Sequence, residues 1–200
     1  SLKLMGYKKK DVYELNQDGL RVGEIIISSL RNVHSRQTEF DPKARQWAAK
    51  RLQSNFEKLN FKEKYKKNIC LFRQNEKNRR ISNYEVIKKI TLKNNYYEIK
   101  IDNQSLFESA KKFFLAQNYL SIYGSGILRI MFMRQPKKLI EIYSTKVVDR
   151  DIFFLLASEF DMKYECIPAQ IIPNNYNNKS SENDWYVAVD ELNKALKKDS

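Results

Sequence analysis

One histidine, His34, is all that this 200-residue chain offers of the commonest general base. No His-based triad and no zinc centre can be assembled around it. Cysteine is nearly as scarce. Cys70 and Cys166 stand far apart among apolar neighbours, as small buried hydrophobes do in a reducing compartment, and they make no disulfide framework. Glycine occurs five times, too seldom and in the wrong spacing for Gly-x-Gly-x-x-Gly or a Gly-Lys-Ser/Thr phosphate loop. Long apolar runs are missing too. The longest, residues 127–133, is broken by Arg129, where a membrane span needs about 20 residues. No basic region followed by an apolar one marks a leader at the start. These absences lead to the expectation of a soluble, intracellular chain without a cofactor, forming one compact unit or a piece of a longer protein.

What the chain has is positive charge in one place. Residues 43–93 hold 16 Lys and Arg against 4 acids, so this quarter of the chain carries +12 of the net +13. Such a balance points to an anionic partner.

The apolar pattern predicts an α+β or α/β fold. A helical part over about residues 18–67 packs on or precedes a small mixed sheet with flanking helices over about 69–198. Residues 1–93 read as a helical, strongly basic region and 94–200 as an α/β region. Asp18 is placed to cap a first helix carrying Leu20, Ile26, Ile27, Leu30 and Val33. Asp41 and Pro42 mark the start of a second, with Ala44, Ala48, Leu52, Phe56 and Leu59 facing a core. Residues 69–72 form a short buried strand. Ser82 and Glu85 have capping-box spacing for a short helix, and residues 90–92 with 97–101 read as a hairpin around Asn94-Asn95. A helix starts at Asp102 or Asn103. Strands follow at 119–123 and 139–143, while 127–133 fits either strand or helix. A helix capped by Asp149 runs to about Phe160, a strand spans 164–172 with Pro168 forcing an edge position or bulge, and residues 174–184 make a polar linker. Trp185, Ala188, Val189, Leu192 and Leu196 mark a last amphipathic helix.

Candidate chemistry is sparse. Gly124-Ser125-Gly126 after a strand has the makings of a phosphate turn, but a plain turn is the preferred reading. Glu98-Ile99-Lys100 has the spacing of half a metal-dependent nuclease site, for which alternating charge on an exposed strand is the simpler account. Asp149 and Asp151 suit a helix start. Tyr65, Phe72, Tyr84, Tyr96 and Tyr97 are placed for base stacking, although packing explains them more simply. No stretch resembles a known family closely enough to lend a residue its role.

The functional expectation therefore rests on charge. Lys43, Lys50, Arg51, Lys64, Lys66, Lys67, Arg73, Arg79, Arg80, Lys88 and Lys89 are expected to bind the phosphate backbone of RNA or DNA in a non-catalytic domain. The loop from Arg73 to Arg80, which has no apolar residue, is expected to be exposed. The alternatives are a scaffolding domain docking on an acidic protein or anionic membrane surface and, more weakly, a metal-dependent nuclease using Glu98 and Lys100.

Overall fold

The computed structural model describes residues 7–8, 42–58, 66–74, 76, 79–101, 104–144, 146, 151–172 and 183–197. The expected first helix from Asp18, the caps at Asp41 and Asp149, His34, Lys64 and most of the 174–184 linker lie outside these residues. The elements are α1 (Pro42–Glu57), β1 (Asn68–Leu71), α2 (Tyr84–Lys93), β2 (Tyr97–Glu98), α3 (Leu106–Phe114), β3 (Asn118–Ile122), a 3₁₀ helix (Ser125–Phe132), β4 (Lys138–Tyr143), α4 (Ile152–Glu159), β5 (Lys163–Ile172), β6 (Asp184–Val187) and α5 (Val189–Lys197).

The six strands form one curled mixed sheet in the order β2-β1-β3-β4-β5-β6. Strands β1 to β5 are parallel and β6 is antiparallel to β5. Helices flank both faces, in the α+β arrangement that the apolar pattern predicts. Period-two alternation divides the strands between two cores. Ile69, Leu71, Tyr119 and Leu139 join Leu52 and Phe56 of α1, Phe113 of α3, Ile127 of the 3₁₀ helix and Leu156 of α4. Cys70, Leu120, Ile122, Ile140 and Ile142 face the other way, onto Ile87 of α2 and Leu192 and Leu196 of α5. Strands covered on both faces read as continuous apolar runs, which is why residues 69–72 were legible.

Helix α1 starts at Pro42 as expected. Its buried stripe runs through Ala49, Leu52 and Phe56, while Ala44 is exposed. The rotation lets Arg45 form a two-pronged ion pair with Glu159 at the end of α4, where Nε reaches Oε2 at 2.7 Å. Gln53 donates to the Met133 carbonyl at 2.8 Å.

Three element assignments change. Residues 90–92 belong to α2, because Ile87 and Thr91 are buried at helical spacing. Asn94-Asn95 ends that helix, with Asn95 at φ +60°, the left-handed geometry of a helix stop. The cap position of α2 is Asn83, whose side chain bonds Val187 on both sides instead of capping, and Ser82 bonds the Trp185 carbonyl. Trp185 is in β6, where it and Val187 are buried and Tyr186 is exposed, so α5 begins only at Val189. Pro168 marks where β5 leaves β4 and takes up β6. The undecided stretch 127–133 is the 3₁₀ helix apart from Met133, which follows its end.

Candidate functional site

The chain leaves β1 through α2 to reach β2 on one side, then returns through α3 on the opposite face to reach β3 on the other side of β1. Two connections that diverge in this way leave a crevice above the carboxyl ends of β1 and β3. In open parallel sheets that is where ligands bind. A cleft of about 490 Å³ occupies it, bordered by Arg73 and Gln74 after β1, Glu98 and Lys100 at β2, and the Gly124–Gly126 turn with Arg129 after β3.

The turn is shaped for close approach. Gly124 has φ +156°, and a Cβ there would lie 3.4 Å from Nη1 of Arg73 and 3.6 Å from Nη1 of Arg79. A Cβ on Gly126 would sit 2.9 Å from Cδ2 of Leu71, so any larger residue would make Leu71 shift where the 3₁₀ helix starts beside β1. Tyr119, wholly buried in β3, donates its hydroxyl to the Gly126 carbonyl at 3.1 Å and pins the turn from below. Burial pushes the Tyr119 phenol well above its ordinary range, which keeps it a donor.

Three guanidiniums converge on this turn, two of them held by hydrogen bonds to the fold. Arg79 donates from Nη1 to the Tyr123 carbonyl at 3.0 Å. Its backbone has φ +53°, an uncommon geometry for a side chain of this size, secured by a bond from its amide to the Asn183 carbonyl at 3.1 Å. Arg129 donates from Nε to the Ser109 hydroxyl of α3 at 3.1 Å. Arg73 faces Glu76 at 3.8 Å. On the far side of the cleft, the Tyr84 hydroxyl donates to Oε2 of Glu98. Partial burial and the neighbouring Glu98 push the Tyr84 phenol up, so the shared proton stays on Tyr84.

The described residues of the stretch from Arg73 to Arg80, expected to be an exposed loop, are exposed only at Glu76. Arg73, Gln74, Arg79 and Arg80 are half-buried. Arg80 forms a two-pronged pair with Asp184, with Nη2 to Oδ2 at 2.8 Å, and the segment lies along β6 through bonds between Arg80, Ser82 and Trp185. The other cations expected to act with it are scattered by the topology. Lys43, Lys50 and Arg51 are exposed on α1, over one face of the sheet, and Lys88 and Lys89 on α2, over the other. Lys66 and Lys67 stand before β1, at the opposite edge from Arg73 and Arg79. A block continuous in sequence is thus divided among two faces and two edges. Of the expected residues that are described, Arg73 lines the crevice and Arg79 packs against its glycine turn. Arg129 and the glycine turn complete it, and charge counting missed Arg129 because its neighbours are apolar.

The nuclease alternative loses its geometry as well. Among the described residues no group of three or more His, Cys, Asp or Glu side chains is placed to hold a metal ion. Cys70 is buried and Cys166 exposed, and both are free thiols. Among the described residues no helix is long and apolar enough to cross a membrane.

Residues 13–140 match the model of a family described as Glycosyltransferase 61. No curated protein matches the chain. The family match overturns the reading of a non-catalytic nucleic-acid-binding domain and its scaffold and nuclease alternatives. A glycosyltransferase family implies sugar substrates and acceptors, not RNA, DNA or an acidic docking partner.

Proposed function

Because the chain belongs to the glycosyltransferase 61 family, we propose that it moves a glycosyl group from a phosphate-activated donor to an acceptor hydroxyl, with the donor's phosphate in the β1/β3 crevice. In that reaction the bond from the anomeric carbon to the phosphate oxygen breaks and a bond to the acceptor oxygen forms. The acceptor gives up its proton, and the leaving phosphate gains negative charge. Arg73, Arg79 and Arg129 supply fixed positive charge where that charge develops, which is the most effective place for it. The Gly124–Gly126 turn admits the phosphate close to the backbone at the start of the 3₁₀ helix.

The observation that carries this reading is the convergence of anchored guanidiniums on a glycine turn at the topological switch point. Titration of inorganic pyrophosphate by calorimetry tests it. The wild-type chain should bind, and Arg73→Ala, Arg79→Ala and Arg129→Ala should each weaken binding about 10- to 100-fold, the worth of one charge-assisted hydrogen bond. Absence of binding, or binding indifferent to all three changes, would refute it.

A further inference from the structure

The crevice accounts for the donor and leaves the acceptor without a place. Helix α1 carries a surface that the fold does not use. On one flank its polar groups are engaged: Arg45 pairs with Glu159, Gln53 bonds the Met133 carbonyl, and Glu57, the one acid of the helix, lies 3.5 Å from Arg134. On the other, Trp47, Lys50, Arg51, Ser54, Asn55 and Lys58 line an open groove of about 530 Å³. Three-, four- and seven-residue steps put them on one side of the helix.

Trp47 is 53% exposed. A lone exposed aromatic would need no explanation, but this one is braced. The Arg51 guanidinium lies over its ring at 5.7 Å and over the Tyr7 ring at 5.4 Å, which holds the indole in place without covering it. Among the described residues no ion pair engages Lys50 or Lys58, and these two stand roughly 12 Å apart along the helix axis.

The combination narrows the ligand. A flat indole takes the C–H face of a sugar ring, and the Ser54 hydroxyl and Asn55 amide match sugar hydroxyls. Cations with no acid among them call for negative charge spread along the ligand. A chain of uronic acids meets all three demands, because every ring carries its own carboxylate: one ring stacks while its neighbours pair with ammonium groups. Phe56 of α1 packs on Phe132 of the 3₁₀ helix with centroids 6.4 Å apart, so a chain held on α1 is tethered to the body that forms the crevice, at a raised effective concentration.

We propose that the Trp47 side of α1 is a docking subsite for an acidic glycan of uronic-acid units, the acceptor chain of the transfer. The inference rests on the glycosyl-transfer reading for the sugar class and does not depend on which residues hold the donor phosphate.

The chain has two tryptophans, and Trp185 is wholly buried, so protection from acrylamide quenching reports on Trp47. The whole chain is titrated with hexagalacturonate, with the same hexamer methyl-esterified to remove its charge, and with a thymidine oligonucleotide of similar charge; calorimetry follows the variants. The wild type should bind hexagalacturonate about 10-fold more tightly than the ester, with protection of Trp47. Trp47→Ala should weaken hexagalacturonate about 10-fold, and Lys50→Ala with Lys58→Ala should weaken it as much and erase the preference over the ester. Each variant should bind pyrophosphate as the wild type does, which shows that it is folded. Equal binding of hexamer and ester, affinity indifferent to these changes, tighter binding of the oligonucleotide, or no binding of the hexamer would each overturn the inference, whatever pyrophosphate does. If the hexamer binds as expected and pyrophosphate does not, the donor-phosphate site falls and the glycan subsite stands.

Discussion

Both edges of the parallel sheet carry a cationic cleft, about 490 Å³ at the carboxyl ends of the strands and about 600 Å³ at the amino ends, and they are not equivalent. At the amino edge Lys67, Lys93, Lys137, Lys163 and Lys197 are all exposed. Two of them stand where helices end. Lys93 closes α2 and Lys197 closes α5, so their charge offsets the partial negative charge of helix carboxyl ends. At the carboxyl edge the cations are arginines, anchored through backbone and hydroxyl partners, beside the start of the 3₁₀ helix. There, positive side chains add to positive backbone dipoles. Positive charge complements helix ends at one edge and underlies the proposed donor-phosphate site at the other, a role that a planar, pre-organised guanidinium suits better than a flexible ammonium.

The largest expected effect at the amino edge is on stability. Lys138 opens β4 with 2% exposure, donates to the Ala195 carbonyl near the end of α5 at 2.6 Å and lies 3.5 Å from Glu165. Lys138→Ala would leave that carbonyl unmatched and remove a buried stem, while Glu165 keeps Lys163 at 3.0 Å; the cost should be about 3–5 kcal/mol in chemical denaturation, while pyrophosphate affinity stays at the wild-type level. A parallel loss of pyrophosphate binding would break the distinction between the edges.

A buried acid in the carboxyl half of β4 sharpens the contrast. Glu141 accepts from the Tyr164 hydroxyl at 2.6 Å, and Oε1 has no partner among the described residues. Burial raises its pKa from 4.5 to about 7, against the lowering effect of the Tyr164 bond. The folded chain therefore binds more protons than the unfolded chain between those values. This contribution is at its most favourable below the unfolded value and is lost as pH rises through about 7. The loss amounts to about 3 kcal/mol. Denaturation of wild type and Glu141→Gln at pH 5 and pH 8 should show the wild type losing roughly that much relative to the variant, and parallel curves would contradict it.

The smallest effect should come from Gly124→Ala. Its methyl group enters a positive-φ position against Arg73 and Arg79, costing about 1–3 kcal/mol. The same change should weaken pyrophosphate binding, because the methyl group takes up the space beside both guanidiniums. A variant that is destabilised yet binds normally would show that the turn is only a turn.

The strands β1, β3 and β4 were legible because each is an apolar run flanked by polar residues. Helix α3 was legible from its amphipathic spacing, although Ser105 and not Asp102 or Asn103 caps it, accepting from the Glu108 amide at 3.1 Å. Trp185 misled because aromatic and apolar residues two to four apart fit a short strand followed by a helix as well as one long helix. Glycines 124 and 126 were visible, but a Gly-Ser-Gly turn acquires meaning only when arginines from 45 or more residues earlier fold over it. Glu98 was noticed for its spacing to Lys100, whereas its partner in space is Tyr84.

Taken alone, the sequence determined where the apolar segments lie, that most of the excess charge falls in residues 43–93, and that helices flank a sheet. Those properties depend on neighbours within a turn or a strand's length. The order of the strands was decided by the tertiary structure alone. That order sends α1 and α2 to opposite faces, brings Arg73, Arg79 and Arg129 to one crevice and leaves the lysines at the other edge, because long-range packing, not linear distance, sets which charges share a surface.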